Sequence, residues 1–137
     1  MILVDTSAWV EYDRATGSAV DARLTDLITT EQPVVVTELV VMEVLAGART
    51  DEREQQLRRL LDRFPLLRFD PVADFGGGVN VYRRCRAAGV TPRGMIDCMI
   101  AAVALRHGAT LLAADSDLHH VAEVVGTALD EASRQQR

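Results

Sequence analysis

The amino-acid sequence predicts one α/β domain over residues 1–137, built on a short, mostly parallel central sheet. Short apolar runs of strand character, Ile2-Leu3-Val4, Val34-Val35-Val36 and Thr110 to Ala113, alternate with longer stretches of helical period, the pattern of βαβ units. At 137 residues and 48% hydrophobic, the chain is large and apolar enough for one core. No internal repeat or linker divides it.

Each element has a local reason. Ile2 to Val4 is a buried strand ending at Asp5, and a helix follows from about Ser7 to Asp13. Gly17 breaks that helix. Ser18 caps the next, with Asp21 in the capping-box place. Val20, Leu24, Leu27 and Ile28 share one face of it, and Pro33 stops the region. After the second strand, Thr37 is placed to cap an almost wholly apolar helix, Leu39 to Ala48, which carries Glu43 inside it. Asp51, with Glu54 three residues on, opens a helix with Leu57, Leu60, Leu61 and Phe64 inward. Pro65 ends it, and Leu66 to Phe69 reads as a brief strand. Asp70-Pro71 is a helix start running to about Ala88, with Gly89 as the stop. Gly76-Gly77-Gly78 interrupts this helix at roughly 1 kcal/mol per glycine. The helix is therefore expected to be loose there or to begin later. Gly94 to His107 is the next helix, with Ile96, Ile100, Val103 and Ala104 inward. The last strong strand runs into Asp115-Ser116-Asp117, which start a short helix, Leu118 to Val125. Residues 130–137 are expected to be a polar, frayed tail.

Composition excludes several classes. No apolar run approaches the ~20 residues of a membrane span, and the N-terminus lacks the features of a secretion signal. Cys85 and Cys98 form no CxxC pair, so two ordinary thiols in a cytoplasmic protein are expected. The net charge of −5 argues against nucleic-acid binding by bulk positive charge. All 15 basic residues are arginine. Without lysine there is no P-loop and no Schiff-base chemistry.

Carboxylates stand where burial or sheet geometry makes them costly: Asp5, Glu43, Asp97, and Asp115 with Asp117. Singly, each has a plain structural reading. Asp5, Asp115 and Asp117 are natural helix caps or turn residues, and Asp97 suits the first turn of a helix. Glu43 resists that reading, because apolar neighbours surround it in sequence and an unpaired buried carboxylate is expensive. Together, parallel strands ending in Asp5 and Asp115 present both acids at one sheet edge, and helices bearing Glu43 and Asp97 lean over it. Crowded carboxylates repel. Mg²⁺, or Mn²⁺ as a substitute, suits such an oxygen-rich site and supports phosphodiester hydrolysis.

Four pieces in this order, Leu3-Val4-Asp5-Thr6-Ser7, Glu43 to Gly47, Met95 to Ala102 and Thr110 to Leu118, resemble the PIN-domain ribonucleases, and more closely the VapC-type toxins of bacterial toxin–antitoxin pairs. The resemblance spans nearly the whole chain. It implies a three-layer α/β/α fold and a Mg²⁺-dependent endoribonuclease that cuts tRNA or rRNA. It also implies a homodimer and neutralisation by a cognate VapB-type antitoxin. On this footing Asp5, Glu43, Asp97 and Asp115 are the catalytic acids. Asp5, Asp97, Asp115 and Asp117 are the metal ligands, with Asp115 and Asp117 both open as the fourth acid. Arg93, Thr6 and Ser7 are placed at the substrate. The helices at Ser18–Thr30 and Asp51–Phe64 are expected to line the antitoxin groove. Arg83, Arg84 and Arg86 read as a solvated face, His119-His120 as surface, and Trp9, Tyr12 and Cys98 as core or interface. Two alternatives remain: a non-catalytic PIN-fold binding module, and a DNA-acting, metal-dependent domain of topoisomerase-primase type using Asp115-Ser-Asp117 as a DxD pair.

Overall fold

The computed structural model describes residues 1–134. Three strands, β1 (Ile2–Val4), β2 (Val34–Val35) and β3 (Thr110–Leu112), form a parallel sheet in the order β2-β1-β3. Ile2 lies beside Val34 on one side and Thr110 on the other. β1 is therefore central, and Asp5 leaves the middle of the sheet. The helices are α1 (Thr6–Asp13), α2 (Ala19–Thr29), α3 (Glu38–Ala46), α4 (Asp51–Leu61), α5 (Pro71–Ala87), α6 (Met95–His107), α7 (Ser116–Val125) and α8 (Glu131–Arg134). They fall into two packed groups. One joins α1, α2, α3, α4 and α8, and the other joins α5, α6 and α7. The expected α/β organisation holds. The fully buried core includes Leu3 and Val4 of β1, Leu111 and Leu112 of β3, and Trp9, Leu24, Ile100 and Leu118.

Several local expectations change. Ser18 does cap α2 by accepting from Asp21 N–H, but Thr37 makes no capping hydrogen bond at α3. Thr50, not Asp51, caps α4. Leu66 to Phe69 is no strand: only Leu66 bridges, to Val36, because Arg68 and Phe69 turn away toward the Glu38 carboxylate. Residues 130–134 are packed, not frayed. Asp130 N–H donates to Leu111 O, Arg23 holds the Asp130 carboxylate, and Ala113 N–H donates to Ser133 Oγ. The remainder of the expected tail, 135–137, lies outside the described residues.

The glycine triplet does not interrupt α5, which runs unbroken through it. A Cβ on Gly77 would come within 2.9 Å of Ala102 Cβ, and one on Gly78 within 2.8 Å of Met99 Cγ. The glycines thus let α5 approach α6, and that packing offsets their poor helix propensity. Gly76 has open space around it. Gly76→Ala is expected to stabilise the chain by about 1 kcal/mol. Gly77→Val is expected to destabilise it by roughly 1–3 kcal/mol through overpacking. Urea unfolding of the two variants checks the opposite signs.

Candidate active site

Asp5 follows β1 directly and is only 3% exposed. Its backbone N–H donates to Leu112 O of β3, so the central and neighbouring strands hold its position. Its carboxylate caps α1, accepting from Ser7 N–H at 3.0 Å, and also accepts from Ser7 Oγ at 2.5 Å. Ser7 Oγ in turn accepts from Ala114 N–H at 2.9 Å. Ser7 therefore ties Asp5 to the end of β3. Capping and site-building are the same geometry at this residue.

Glu43 is half-buried, on the side of α3 that meets α1, and Thr6 Oγ1 donates to its Oε1 at 2.7 Å. The expectation of a Glu43 closed in by apolar side chains fails because the hydrophobic residues of α3 are spread around the helix. Met42 is 50% exposed. The Glu43 carboxylate is met by the Thr6 hydroxyl.

Asp97 lies in the first turn of α6, half-buried. Among the described residues no donor hydrogen-bonds its carboxylate. Its pKa is raised to about 7, first by burial and then by the charges of Asp5, Asp115, Glu43 and Asp117 in that order. Asp5 is pushed up to about 6, again first by burial. The Ser7 hydrogen bonds lower it in part, while Glu43 and Asp115 raise it. The acids that the sequence singled out are thus brought into mutual electrostatic reach.

Asp115 follows β3 and caps α7, accepting from Asp117 N–H at 2.8 Å. Arg93 binds it bidentately, with Nη2 at 2.7 and 2.8 Å from the two oxygens. Arg93 N–H also donates to Asp117 at 3.1 Å, and its Nε lies 3.6 Å from the same carboxylate. Arg93 is at the acidic centre as expected, but here it pairs with these two aspartates, whose charges hold its pKa up. Of the two, the Asp115 charge bears on Asp97 more strongly than that of Asp117.

Among the described residues, no three His, Cys, Asp or Glu side chains converge as around a metal ion. The oxygens of Asp5, Glu43, Asp115 and Asp117 turn instead to Ser7, Thr6 and Arg93, while those of Asp97 have no such partner. The donor set itself suits a hard divalent cation: it is entirely carboxylate and hydroxyl oxygen, and its charges are mutually unfavourable without a counter-charge.

Two expectations nearby are corrected. His119 is buried, not surface, with Nε2 2.8 Å from Ala113 O, where it braces the β3 end. His120 is exposed as expected. A cavity of about 320 Å³ opens beside Thr6 and Glu43 between α1, α3 and α4, with Arg14, Arg49 and Arg53 around it. Of the two helices expected to line a groove, α4 borders this cavity and α2 does not. The arginines were not singled out from the sequence. Their signal was position: Arg14 follows the helix that begins with Thr6, and Arg49 follows the helix that carries Glu43. Arg83, Arg84 and Arg86 lie exposed on α5, and Cys98 and Trp9 are buried.

The PIN domain family model matches residues 2–124. Ribonuclease VapC11 of Mycobacterium tuberculosis is 42% identical over 125 residues, covering 90% of this chain and 93% of that protein. Among solved structures, FitAcB from Neisseria gonorrhoeae superposes with a TM-score of 0.72 at 23% identity, over 96% of this chain and 98% of that one. VapBC2 from Rickettsia felis, bound to a promoter DNA fragment, gives a TM-score of 0.74 at 18% identity, over 95% and 98%. The extent of the family match and the identity to VapC11 leave one assignment: the chain belongs to the PIN domain family and, within it, to the VapC ribonucleases.

Proposed function

We propose that this protein is the toxin of a toxin–antitoxin pair, a metal-dependent endoribonuclease held inactive by a cognate VapB-type antitoxin. One observation carries the metal-dependent reading: the half-buried Asp97 carboxylate has no hydrogen-bond donor among the described residues and feels the charges of four other acids. In this reading Asp5, Asp97 and Asp115 are the principal ligands, Asp117 lies at the edge of the set, and Glu43 stands opposite across Thr6. A Mg²⁺ ion held there, with Mn²⁺ as a substitute, would supply positive charge for the scissile phosphate and for a polarised water. The chain's own residues do the rest. Ser7 fixes the Asp5 rotamer through two hydrogen bonds, so Asp5 is preorganised. Thr6 holds Glu43 where it accepts a proton from the attacking water. Arg93 releases Asp115 and turns to the phosphate.

The similarity to VapC11 favours RNA over the DNA-acting DxD alternative, and the full set of acids speaks against a non-catalytic module. No helix among the described residues is long and apolar enough to cross a membrane. A homodimer fits the exposed apolar stripe of α5, where Val72 is 90% and Phe75 57% exposed. The deciding experiment incubates the purified chain with single-stranded RNA. Cleavage is expected with Mg²⁺ or Mn²⁺, to stop on chelation, and to be blocked by the antitoxin. RNA left intact at every cation concentration would defeat the reading. Light scattering on the same preparation reports the oligomer.

A further inference from the structure

The cavity beside the acidic centre has its own chemistry. Trp9, Val44 and Leu57 give it an apolar wall. Trp9 is buried in the core, edge-on to Tyr12 and tilted against Phe64, so the wall is rigid. Its indole Nε1 is buried and has no hydrogen-bond partner among the described residues. Around the cavity, Arg53 is tied to Asp13, while Arg14 and Arg49 have no carboxylate partner among the described residues. The cavity shares Thr6 and Glu43 with the acidic centre, so an occupant lies next to the reacting phosphate. Its volume of about 320 Å³ falls in the range of small-ligand sites.

From this placement we infer that the cavity is a subsite for the nucleotide flanking the scissile phosphodiester, its base against the Trp9 wall and its phosphate on Arg14 and Arg49. The inference rests on the ribonuclease reading above and extends it to substrate selection. An apolar wall accommodates a base, and two uncommitted guanidinium groups favour phosphate. In a chain of net charge −5, such a local excess of positive charge marks where a polyanion is tolerated.

Trp9 is the single tryptophan, so its fluorescence reports on the cavity. Short single-stranded RNA is titrated into Asp97→Asn protein, in which the RNA is expected to stay whole. The RNA should change Trp9 emission. Arg14→Glu and Arg49→Glu should each weaken affinity about tenfold and lower the salt dependence by about one charge, while Arg49→Lys retains most of the affinity. Melting curves confirm that the variants are folded. RNA binding that leaves Trp9 emission and both charge reversals without effect would overturn the subsite. Normal RNA affinity with lost antitoxin affinity would also overturn it, making the cavity a seat for a protein segment. Mn²⁺-dependent RNA cleavage by the unaltered chain is measured separately. Cleavage with unaffected charge reversals rejects the subsite alone, whereas no RNA cleavage rejects the ribonuclease reading itself.

Discussion

Asp97→Asn is expected to lower RNA cleavage by roughly 10²-fold or more while leaving the chain folded and, at neutral to alkaline pH, more stable than the parent. Loss of a metal ligand should exceed the roughly 10–100-fold effect of losing a group that merely orients one. The stability gain has a separate origin. Asp97 is an acid whose ionised form is opposed by burial and by four neighbouring carboxylates, and the amide removes that charge with almost no change of shape. Activity assays and thermal melts on one preparation test both halves. Lost activity with lost stability would make Asp97 a structural residue. Asp115→Asn should behave like Asp97→Asn in cleavage. Asp117→Asn should cost less, because its charge bears on Asp97 less than those of Asp5, Asp115 and Glu43.

The metal-free chain is also expected to be more stable near pH 5 than near pH 8, the reverse of the behaviour of paired carboxylates. Asp5 and Asp97 have folded pKa values of about 6 and about 7, both raised from 3.8. Below about pH 4 both states carry the protons and nothing is gained or lost. Between about pH 4 and pH 7 the unfolded chain ionises while the folded chain retains its protons, so stability falls as pH rises. Above about pH 7 the loss is complete. For Asp5 the rise from 3.8 to about 6 corresponds to roughly 3 kcal/mol. Asp97 adds a smaller amount, because water reaches it. The combined effect on a chain of this size is on the order of 10 °C in Tm. Saturating Mn²⁺ should flatten the profile by taking the place of the protons. Melts across that range decide it: a Tm that climbs steadily toward pH 8 without metal would contradict the crowding of acids at the sheet edge.

Where the sequence was legible, hydrophobic pattern and chemistry coincided. Ile2-Leu3-Val4 leads into Asp5, and Thr110-Leu111-Leu112 leads toward Asp115. Because parallel strands place their ends together, both acids fall at one edge. Asp97 was legible because the first turn of a long helix has a defined direction. Glu43 was expected near the start of its helix and closed in by apolar neighbours, but it lies past the middle of α3 and is half-buried. A run of apolar residues gives composition but not which side of the helix faces inward, and Met42 takes the solvent side. His119 was misread because adjacency shows only that two side chains diverge, so one of them can still enter the core. The 130–134 segment looked like a tail because its residues are polar. Asp130 and Ser133 use that polarity on Arg23 and on the backbone of β3. The three glycines are a defect to helix propensity and an asset to the α5–α6 contact, which is invisible until both helices are placed.

The sheet order carries a consequence for synthesis. Central β1 is made first, but its partner β3 begins at residue 110, so the pairing of Ile2 with Thr110 closes a loop of most of the chain. Until that strand docks, Asp5 has no Leu112 carbonyl to anchor it, and Asp97 and Asp115 have no fixed place beside it. A nascent chain still threaded in the ribosome therefore carries its acids as scattered side chains. Cutting power appears only after nearly the whole polypeptide has emerged, at the slow, non-local step of folding.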